Sequence, residues 1–283
     1  MGEPIPLSVW PTAQQTSKAQ RAGRYVAASM AHPAKMLPAL ARHAITAYTD
    51  SGDVVVDPMC GIATTLVEAV HLGRDAVGVE YEPRWADLAR ANLAYARAHG
   101  AAGDGRVHTG DGRDLPQLLP AELHGRVALV LTSSPYGASV HGHVTATPNR
   151  GVAKTNDRYT TTRSRGGNLA HAGDDGLLDA LTGILAATRS VLRPGGIVVV
   201  TARPWRRNGV LVDFPAAVVT AAEHAGLTLL ERNVALLAGL RGERLVSRAS
   251  FFQLHGVRVA RAQGVPLRVI AHEDVLVLRK ATR

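Results

Sequence analysis

The feature that most constrains the fold is an alternation of short apolar runs with helical segments along most of the chain. Seven runs have the character of buried strands, and they cover residues 53–57, 75–80, 106–110, 126–132, 197–201, 227–237 and 273–279. Segments with apolar residues at helical spacing separate them, among them 62–72, 83–99, 177–192 and 213–225. Strands that alternate with helices form parallel sheets covered on both faces. The sequence therefore predicts an α/β domain with a seven-stranded, mostly parallel sheet and helices on both faces.

The remaining segments divide into an N-terminal arm and two long loops. Residues 1–29 are polar and contain several prolines, which predicts an extended or frayed arm ahead of one domain at 30–283. In that domain, a helix is predicted from Met30 to Tyr48, beginning near 32–34. Two stretches, 137–173 and 238–272, lack apolar periodicity. We expect both to be irregular insertions, and loops of such length in a compact domain are usually functional or disordered.

Charge and cysteine content restrict the classes of function. The formal charge is +9 and the isoelectric point about 10.3, a balance that favours nucleic acid or an anionic membrane as partner. Cys60 is the single cysteine, which excludes a disulfide framework and a cysteine-rich metal site and fits a reducing, cytoplasmic location. No apolar run approaches the roughly 20 residues of a membrane span, and we expect no signal peptide. His141 and His143 could suggest a metal, but two histidines in a loop are more often surface residues.

Four predicted strands end in groups suited to a nucleotide-like ligand, and ligands of open α/β sheets bind beyond such ends. The first strand leads into a tight turn, Asp57–Thr65, whose backbone N–H groups can approach a ligand, although such turns are also common in purely structural roles. Glu80 ends the second strand and can accept both hydroxyls of a ribose, or can cap the next helix. Asp111 follows the third strand and can accept the amino group of an adenine. The fourth strand ends in Thr132–Tyr136.

In this order, the motifs resemble those of the amino-methyltransferases, which methylate DNA at adenine N6 or cytosine N4. Asp57–Thr65 resembles their Asp-Pro-Phe-x-Gly-x-Gly-Thr-Thr loop. Arg74–Glu82 resembles the acidic strand that holds the ribose, and Gly110–Asp114 resembles the turn that contacts the adenine. Ser133-Ser-Pro-Tyr136 resembles the catalytic (Ser/Asp/Asn)-Pro-Pro-Tyr motif. His32-Pro-Ala-Lys-Met36 resembles the segment that covers the methionine moiety of the cofactor.

The resemblance implies a Rossmann-like class I methyltransferase fold with S-adenosylmethionine as cofactor and no metal. It is most specific over residues 30–136 and continues more loosely to the last strand. The residues it assigns to cofactor binding are His32, Lys35, Asp57, Pro58, Gly61, Thr64, Thr65, Glu80, Tyr81, Asp111 and Gly112. The residues it assigns to catalysis are Ser133, Ser134, Pro135 and Tyr136.

The catalytic motif suits methyl transfer to an exocyclic amine, which is a poor nucleophile because its lone pair is delocalised into the ring. The Ser133 hydroxyl and the Ser134 carbonyl can accept hydrogen bonds from the amine, and catalysis then depends on positioning and electrostatics. Tyr136 can stack on a base flipped out of a duplex, or can simply pack in the core. Methylation at cytosine C5 needs a cysteine nucleophile, yet the single thiol, Cys60, lies in the cofactor loop. Zinc-dependent deamination lacks its cysteine ligands.

Two residues depart from the family pattern. Ala63 stands where the cofactor loop usually has its last glycine, and the substitution predicts a negative φ and a slightly narrower space near the cofactor. Ser134 stands where the first proline of Pro-Pro is expected. That proline stiffens the catalytic loop, so its replacement raises the alternative of a nucleic-acid-binding protein that has kept the fold and lost catalysis.

The choice of base depends on Ser133. Serine at this position is usual in cytosine-N4 enzymes, whereas aspartate or asparagine is usual for adenine N6 and for guanine N2 of tRNA. We therefore expect a cytosine-N4 methyltransferase of double-stranded DNA, associated with the nucleoid and with DNA methylation in restriction–modification; an oligomer is compatible with this. Adenine N6 of DNA and guanine N2 of tRNA remain alternatives, although residues 1–30 are too few for the RNA-binding domain that tRNA methylases often carry. A small-molecule methyltransferase would leave the catalytic motif unexplained.

Arginine and lysine residues in the two loops are the candidates for nucleic-acid contact. Directly after the catalytic motif come Arg150, Lys154, Arg158, Arg163 and Arg165. We expect this group to close over the substrate and contact phosphates. In the second loop, Arg244 and Arg248 lead a basic stretch that is the candidate for target recognition, with Phe251 and Phe252 anchoring it in the core.

Overall fold

The computed structural model describes residues 5–134, 143–147, 151–155, 174–207, 210–249 and 251–282. Its strands are β1 (Val9–Trp10), β2 (Val54–Asp57), β3 (Asp75–Glu80), β4 (Gly105–Thr109), β5 (Val127–Ser133), β6 (His143–Thr147), β7 (Gly151–Thr155), β8 (Leu192–Ala202), β9 (Trp205–Arg207), β10 (Val210–Val212), β11 (Leu227–Leu236), β12 (Ala238–Arg241), β13 (Arg244–Ser247) and β14 (His272–Lys280). Its α-helices are α1 (Ser17–Arg21), α2 (Pro38–Tyr48), α3 (Thr64–His71), α4 (Pro83–Ala98), α5 (Leu115–Leu118), α6 (Asp174–Val191), α7 (Phe214–His224) and α8 (Phe251–Ala262).

Eight strands form one central sheet in the order β1-β11-β14-β8-β5-β2-β3-β4. The strands from β8 to β4 run parallel to their neighbours, whereas β14 is antiparallel to both β8 and β11. The predicted Rossmann-like α/β fold is confirmed. The sheet has eight strands where seven were predicted, because the two-residue strand β1 adds to its edge in parallel with β11.

The apolar strands separate two hydrophobic cores, one on each face of the sheet. Val56 points into a core that also contains Leu181 of α6 and the apolar face of α7. Its neighbour Val55 points to the opposite core, with Leu40 of α2 and Leu66 of α3. Successive residues of a strand face opposite sides, so strands covered on both faces are apolar throughout. The predicted helices on both faces follow directly from this burial pattern.

The N-terminal segment is packed onto this domain, so its interpretation as an extended or frayed arm was wrong for residues 5–29. Trp10 is buried in the core beside α2, and Tyr25 is buried against α3. The Thr12 hydroxyl donates a hydrogen bond to the Leu236 carbonyl over 2.8 Å. The segment looked like an arm because many of its buried side chains are polar, and polar residues carry no hydrophobic periodicity.

The first long helix begins later than predicted. A short 3-10 helix covers Ala27–Ala31, the chain is then extended or irregular up to Leu37, and α2 begins only at Pro38. A proline disfavours the helical conformation of the residue before it. Pro33 therefore disfavours a helix that starts near 32–34. Pro38 itself occupies the first turn of α2, where a missing N–H costs nothing.

The stretch 238–272 was wrongly predicted to be irregular. Strands β12 and β13 form an antiparallel hairpin, and α8 follows. Every residue of β13 is exposed, and only the first two residues of β12, Ala238 and Gly239, are buried, so the hairpin shows no apolar alternation to reveal it. Of the stretch 137–173, the described parts 143–147 and 151–155 form a second hairpin. Within the described residues, no helix combines the length and the apolar character that a membrane crossing requires.

Candidate cofactor and substrate site

The polar strand ends predicted from the sequence meet at one edge of the sheet. Asp57, Glu80 and Ser133 are the last residues of β2, β3 and β5, and Asp111 follows β4 by two residues. These four strands are parallel neighbours in the order β5-β2-β3-β4. Their carboxyl ends therefore lie side by side, which is the position of ligands in open α/β sheets.

Asp57 holds the turn between β2 and α3. One carboxylate oxygen accepts the N–H of Met59 over 3.1 Å, and the other accepts the hydroxyl of Thr65 over 2.8 Å. Burial raises the pKa of Asp57 to about 6, even though hydrogen bonds to its carboxylate act in the opposite direction. These hydrogen bonds connect Asp57 to Met59 and Thr65, so Asp57 stabilises the backbone conformation of the turn.

Glu80 links the ends of β2 and β3. Its Oε2 accepts the N–H of Gly61 over 2.8 Å, and its Oε1 accepts the N–H of Glu82 over 2.9 Å. Burial raises the pKa of Glu80 to about 7 against these two hydrogen bonds. An ionised carboxylate has about four acceptor positions, so one position on each oxygen remains for a pair of hydroxyl groups.

The turn itself depends on left-handed backbone. Gly61 has φ +55°, and a Cβ added there would lie 3.3 Å from Nε2 of His32. Ala63 has φ 66° and ψ 41°, so the prediction of a negative φ was wrong. The turn imposes the left-handed conformation whether or not the residue is glycine, and an alanine there costs about 1–2 kcal/mol.

His32, Lys35 and Tyr81 lie around this turn. The ring of His32 is buried and packs edge-on against Trp85, with 4.5 Å between ring centroids. Lys35 donates hydrogen bonds to the carbonyl oxygens of Met30 and His32. Burial, together with the charge of Arg21, lowers the pKa of Lys35 to about 8. Tyr81 follows Glu80 with 38% of its surface exposed.

Asp111 and Gly112 form the turn after β4. Asp111 caps a short 3-10 helix at Gly112–Asp114, and its carboxylate accepts the N–H of Arg113 over 2.9 Å. A Cβ added to Gly112 would lie 2.6 Å from the carbonyl oxygen of Pro58. The turn after β4 therefore touches the turn after β2, and only glycine fits at the contact.

Three arginines and a glutamate in or beside α3 were missed by sequence reasoning. Glu68 of α3 is fully buried and forms ion pairs with Arg24 over 2.7 Å and with Arg42 over 3.0 Å. Arg21 is 3% exposed and donates to the hydroxyl of Thr64, the first residue of α3, over 3.2 Å. These residues belong to no motif, and the polar segment around Arg21 gave no sign of burial.

The catalytic motif begins at the end of β5, next to β8. Ser133 pairs with Thr201 in the sheet, and the N–H of Ser134 donates to the carbonyl oxygen of Thr201 over 3.1 Å. Proline lacks this N–H, which gives a structural reason for serine at this position. Ser134 is buried, and within the described residues its hydroxyl has no hydrogen-bond partner. Pro135 and Tyr136 lie outside the described residues.

The predicted nucleic-acid contacts are only partly described. Arg150, Arg158, Arg163 and Arg165 lie outside the described residues, and Lys154 belongs to β7. Arg244 is exposed in β13. Arg248, in contrast, donates to the carbonyl oxygens of Ala13 over 3.3 Å and Gln14 over 2.9 Å. In the structure, Arg248 attaches the hairpin to the N-terminal segment.

Comparison with known proteins agrees with this arrangement. A family model described as DNA methylase matches residues 2–91. The tRNA (guanine(10)-N2)-dimethyltransferase of Methanothermobacter thermautotrophicus is 33% identical over 109 residues, which are 38% of this chain and 30% of that protein. The type II methyltransferase M.ScaI of Streptomyces caespitosus is 34% identical over 88 residues, 31% of this chain and 28% of that protein. The chain thus spans less than a third of the length of these curated relatives.

Among solved structures, TrmN from Thermus thermophilus superposes with a TM-score of 0.52 at 18% identity, covering 92% of this chain and 53% of that one. The fold is therefore that of the Rossmann-like methyltransferases. The match to the DNA methylase model confirms the predicted resemblance to the amino-methyltransferases, and with it S-adenosylmethionine as the cofactor of this class.

The strand-end geometry fits that cofactor. Gly61 and Gly112 leave room where any side chain would meet His32 or the Pro58 carbonyl. Glu80 keeps acceptor positions for a ribose, and Asp111 presents a carboxylate to the same edge of the sheet.

Proposed function

We propose that this chain transfers a methyl group from S-adenosylmethionine to an exocyclic amino group of a nucleic-acid base. The observation that carries the proposal is the position of Ser133 and Ser134. They stand at the end of the strand beside β2, whose turn is the predicted cofactor loop. The N–H of Ser134 donates to the Thr201 carbonyl, which holds this residue at the end of β5 beside β8.

The chain's own residues would act on the amine by accepting its hydrogen atoms. The Ser133 hydroxyl and the Ser134 carbonyl each take one N–H, so the nitrogen becomes pyramidal and its lone pair leaves conjugation with the ring. The buried Ser134 hydroxyl is a further polar group at this edge. When bound, the cofactor supplies a methyl sulfonium: the new N–C bond forms as the S–C bond breaks, sulfur keeps the electron pair, and the nitrogen loses a proton.

The remaining site residues would hold the cofactor. Glu80 would accept the ribose hydroxyls, and Asp111 would accept the adenine amino group. Gly61 and Gly112 would allow close approach of the backbone, and His32 would close the site over the cofactor loop.

For the substrate we favour cytosine N4 in double-stranded DNA. Serine at the first motif position supports this choice, and a charge of +9 supports a nucleic-acid partner. A DNA substrate would place the chain at the nucleoid and is compatible with the partial match to the type II methyltransferase M.ScaI. Adenine N6 of DNA would use the same mechanism.

A second candidate is guanine N2 of tRNA, because two matched relatives are named tRNA (guanine(10)-N2)-dimethyltransferases, at 33% and 31% identity over 109 residues. Loss of catalysis is the least favoured alternative. This alternative was raised because Ser134 replaces the first proline of the motif. The hydrogen bond from Ser134 to Thr201 gives the serine a structural role.

The deciding experiment incubates the protein with labelled S-adenosylmethionine and either duplex DNA or tRNA, followed by mass spectrometry of the nucleosides. N4-methylcytosine is the expected product. Detection of N6-methyladenine or N2-methylguanosine instead would show that the target base is adenine or guanine and not cytosine. Cofactor binding without transfer to either substrate would refute the proposed activity. Ser133→Ala should lower turnover strongly and leave cofactor affinity unchanged, and an equal loss of both would contradict its assigned role.

A further inference from the structure

The hairpin of β12 and β13 leaves the sheet at the same edge as the catalytic motif. Because β14 is antiparallel to both β8 and β11, β11 runs in the same direction as β8 and β5. The carboxyl end of β11 therefore lies at the edge where Ser133 ends β5, and the hairpin follows β11 directly. With β14 and β8 between β11 and β5, the lateral separation is about 14 Å at the usual strand spacing of about 4.8 Å. A nucleic acid bound at Ser133 would pass within reach of the hairpin.

The base of the hairpin is attached to the N-terminal segment. The N–H of Leu240 donates to Oε1 of Gln14 over 3.1 Å. Arg248, directly after β13, donates to the backbone carbonyls of Ala13 and Gln14. Gly239 lies close to Arg248, since a Cβ added to it would be 3.0 Å from Nη2 of that arginine. Isolated two-stranded hairpins are only marginally stable in water, so these contacts hold the hairpin in place.

An apolar pair is exposed on one face of the hairpin. Leu240 and Leu245 lie directly opposite each other in the two strands, and 44% and 56% of their surfaces are exposed. The side chains of a directly opposed pair share one face of the ribbon. Apolar residues scattered singly over a surface need no explanation, whereas adjacent ones mark a contact surface. The leucine pair is therefore a candidate contact for a partner with apolar surface.

The tip of the hairpin beside this pair is positively charged. Arg241 and Arg244 are the next opposed pair, and both are exposed. Like charges directly opposite each other destabilise paired strands, and in the part of the chain that the structure describes neither arginine forms an ion pair. From residue 239 to residue 271 the sequence has six arginines and one acidic residue, Glu243. A polyanion would relieve this repulsion, so the charge favours a nucleic acid as the partner.

We propose that the hairpin contacts nucleic acid in two ways: the Leu240–Leu245 face packs against unstacked bases, and Arg241 and Arg244 contact phosphates. The inference rests on the proposed function and deepens it, since it gives the hairpin an apolar contact with bases in addition to its charge. Leucine is among the side chains that can insert between base steps. At about 3.4 Å per nucleotide along one strand, the separation from Ser133 corresponds to about four nucleotides. The leucine contact therefore lies beside the target nucleotide and not at it.

Salt dependence separates the two kinds of contact. Phosphate contacts set the slope of log affinity against log salt concentration, whereas apolar contacts shift the affinity equally at every salt concentration. The measurement is filter binding to a mixed-sequence DNA duplex and to one of its separated strands. The double variant Leu240→Ser/Leu245→Ser should bind the single strand about 10-fold more weakly with an unchanged slope, as expected for two half-exposed leucines. Its loss on the duplex should be smaller, because stacked bases hide their faces. Arg241→Ala/Arg244→Ala should instead reduce the slope by about 1–2.

Leu230→Ser is the matched control. Leu230 is also an exposed leucine, but it lies in the amino-terminal half of β11, away from the hairpin, so its replacement should leave affinity unchanged. Unchanged affinity in the folded leucine double variant, or a change in its slope, would overturn the proposal. A wild-type dimer that the leucine double variant converts to a monomer in sedimentation would also overturn it, because the apolar pair would then face a second copy of the chain. If the double variant does not fold, Leu245→Ser alone must show the same parallel shift at a smaller size.

The hairpin proposal and the proposed function fail separately. Methyl transfer by the wild type is scored by mass spectrometry of the nucleosides, independently of binding. A wild type that methylates a base, together with a leucine double variant that binds like the wild type, would refute the role of the hairpin alone. A parallel loss of affinity in the double variant, together with a wild type that transfers no methyl group, would refute the activity and support the hairpin contact.

Discussion

The side chain of Arg113 donates hydrogen bonds to both oxygens of the Asp111 carboxylate. Its Nε lies 3.0 Å from Oδ1 and its Nη2 lies 2.5 Å from Oδ2, and its backbone N–H donates to Oδ1 as well. Burial acts to raise the pKa of Asp111, but the hydrogen bonds and charge of Arg113 outweigh it, and the pKa is lowered. Oδ1 already accepts two hydrogen bonds, so Oδ2 is the oxygen with acceptor capacity left for a ligand.

Arg113→Ala should therefore weaken recognition of the adenine amino group without altering the rest of the cofactor site. We expect S-adenosylhomocysteine to bind about 5–10-fold more weakly, the cost of one imperfectly oriented hydrogen bond to a charged group. An analogue with hydrogen in place of the 6-amino group should bind the variant and the wild type equally. A parallel loss for both ligands would show that Arg113 supports the fold of the turn and does not orient Asp111.

The raised pKa values of Asp57 and Glu80 predict opposite pH trends for stability and for binding. A carboxyl group whose pKa is higher in the folded state binds more protons when folded, so the free energy of unfolding falls as the pH rises. For pKa values of about 6 and about 7, the fall runs from about pH 4 to about pH 7 and amounts to at most about 3 kcal/mol per group. Affinity for S-adenosylhomocysteine should rise over the upper part of this window, as Glu80 ionises.

Glu80→Gln checks this assignment. Urea unfolding of the ligand-free protein should show a smaller pH dependence in the variant, because one titrating group is gone. The variant also loses an acceptor for the N–H of Gly61 or Glu82, so it should be less stable than the wild type at low pH, where Glu80 is protonated. An unchanged pH profile would mean that Glu80 is ionised throughout the range.

Ala63→Gly should be nearly neutral for stability. The substitution loses one buried methyl group, worth about 0.8 kcal/mol, and gains relief of about 1–2 kcal/mol from the left-handed conformation. Ala69 is the matched control, because it is also fully buried but lies inside α3 with helical geometry. Ala69→Gly should cost about 2 kcal/mol in chemical unfolding, from the methyl group and the helix propensity together. Equal losses at the two sites would contradict the strain at Ala63.

Ser134→Pro restores the family motif but should not improve the enzyme. Proline removes the N–H that donates to Thr201, so we expect the free energy of unfolding to fall by about 1–3 kcal/mol. Ser134→Ala keeps the N–H and removes a buried hydroxyl, and it should be at least as stable as the wild type. Thermal unfolding and a methylation assay separate the two variants, and a proline variant with wild-type stability would refute the importance of this hydrogen bond.

Arg244 and Arg248 should behave differently although both lie in the basic region around 238–272. Arg244 is exposed, so Arg244→Ala should reduce nucleic-acid affinity and lower the salt-dependence slope by about 1 without changing stability. Arg248→Ala should lower the melting temperature, because it removes the hydrogen bonds to Ala13 and Gln14. Filter binding at several salt concentrations measures the nucleic-acid affinity of both variants, and thermal unfolding measures their stability. A loss of stability in Arg244→Ala with a loss of affinity alone in Arg248→Ala would contradict the structure.

The parts of the fold that the sequence predicted are those with a strong local signal. Strands such as β2 and β5 are continuous apolar runs, and Glu80 ends such a run, so its place at the sheet edge followed from chain order. The resemblance to known motifs then supplied their chemical meaning. These signals require only residues near one another in sequence.

What the sequence did not predict depends on contacts between distant segments. The burial of Arg21 arises from α1 packing against Met36 and Thr64, and polar residues give no periodicity from which to infer it. The positive φ of Ala63 is imposed by the turn as a whole. The serine at position 134 is explained by its hydrogen bond to the carbonyl of Thr201, which is distant in the sequence.

The strand β1 also affects the order in which the protein can become functional. Val9 and Trp10 pair with Val234 and Ala235, so they can dock only after β11 has been synthesised and folded. Closing so long a loop is entropically costly and slow. Thr12, which follows β1, bonds in the same way to the Leu236 carbonyl at the end of β11. A nascent chain would thus carry every motif of the cofactor loop long before its N-terminal segment could pack against the edge of the completed sheet.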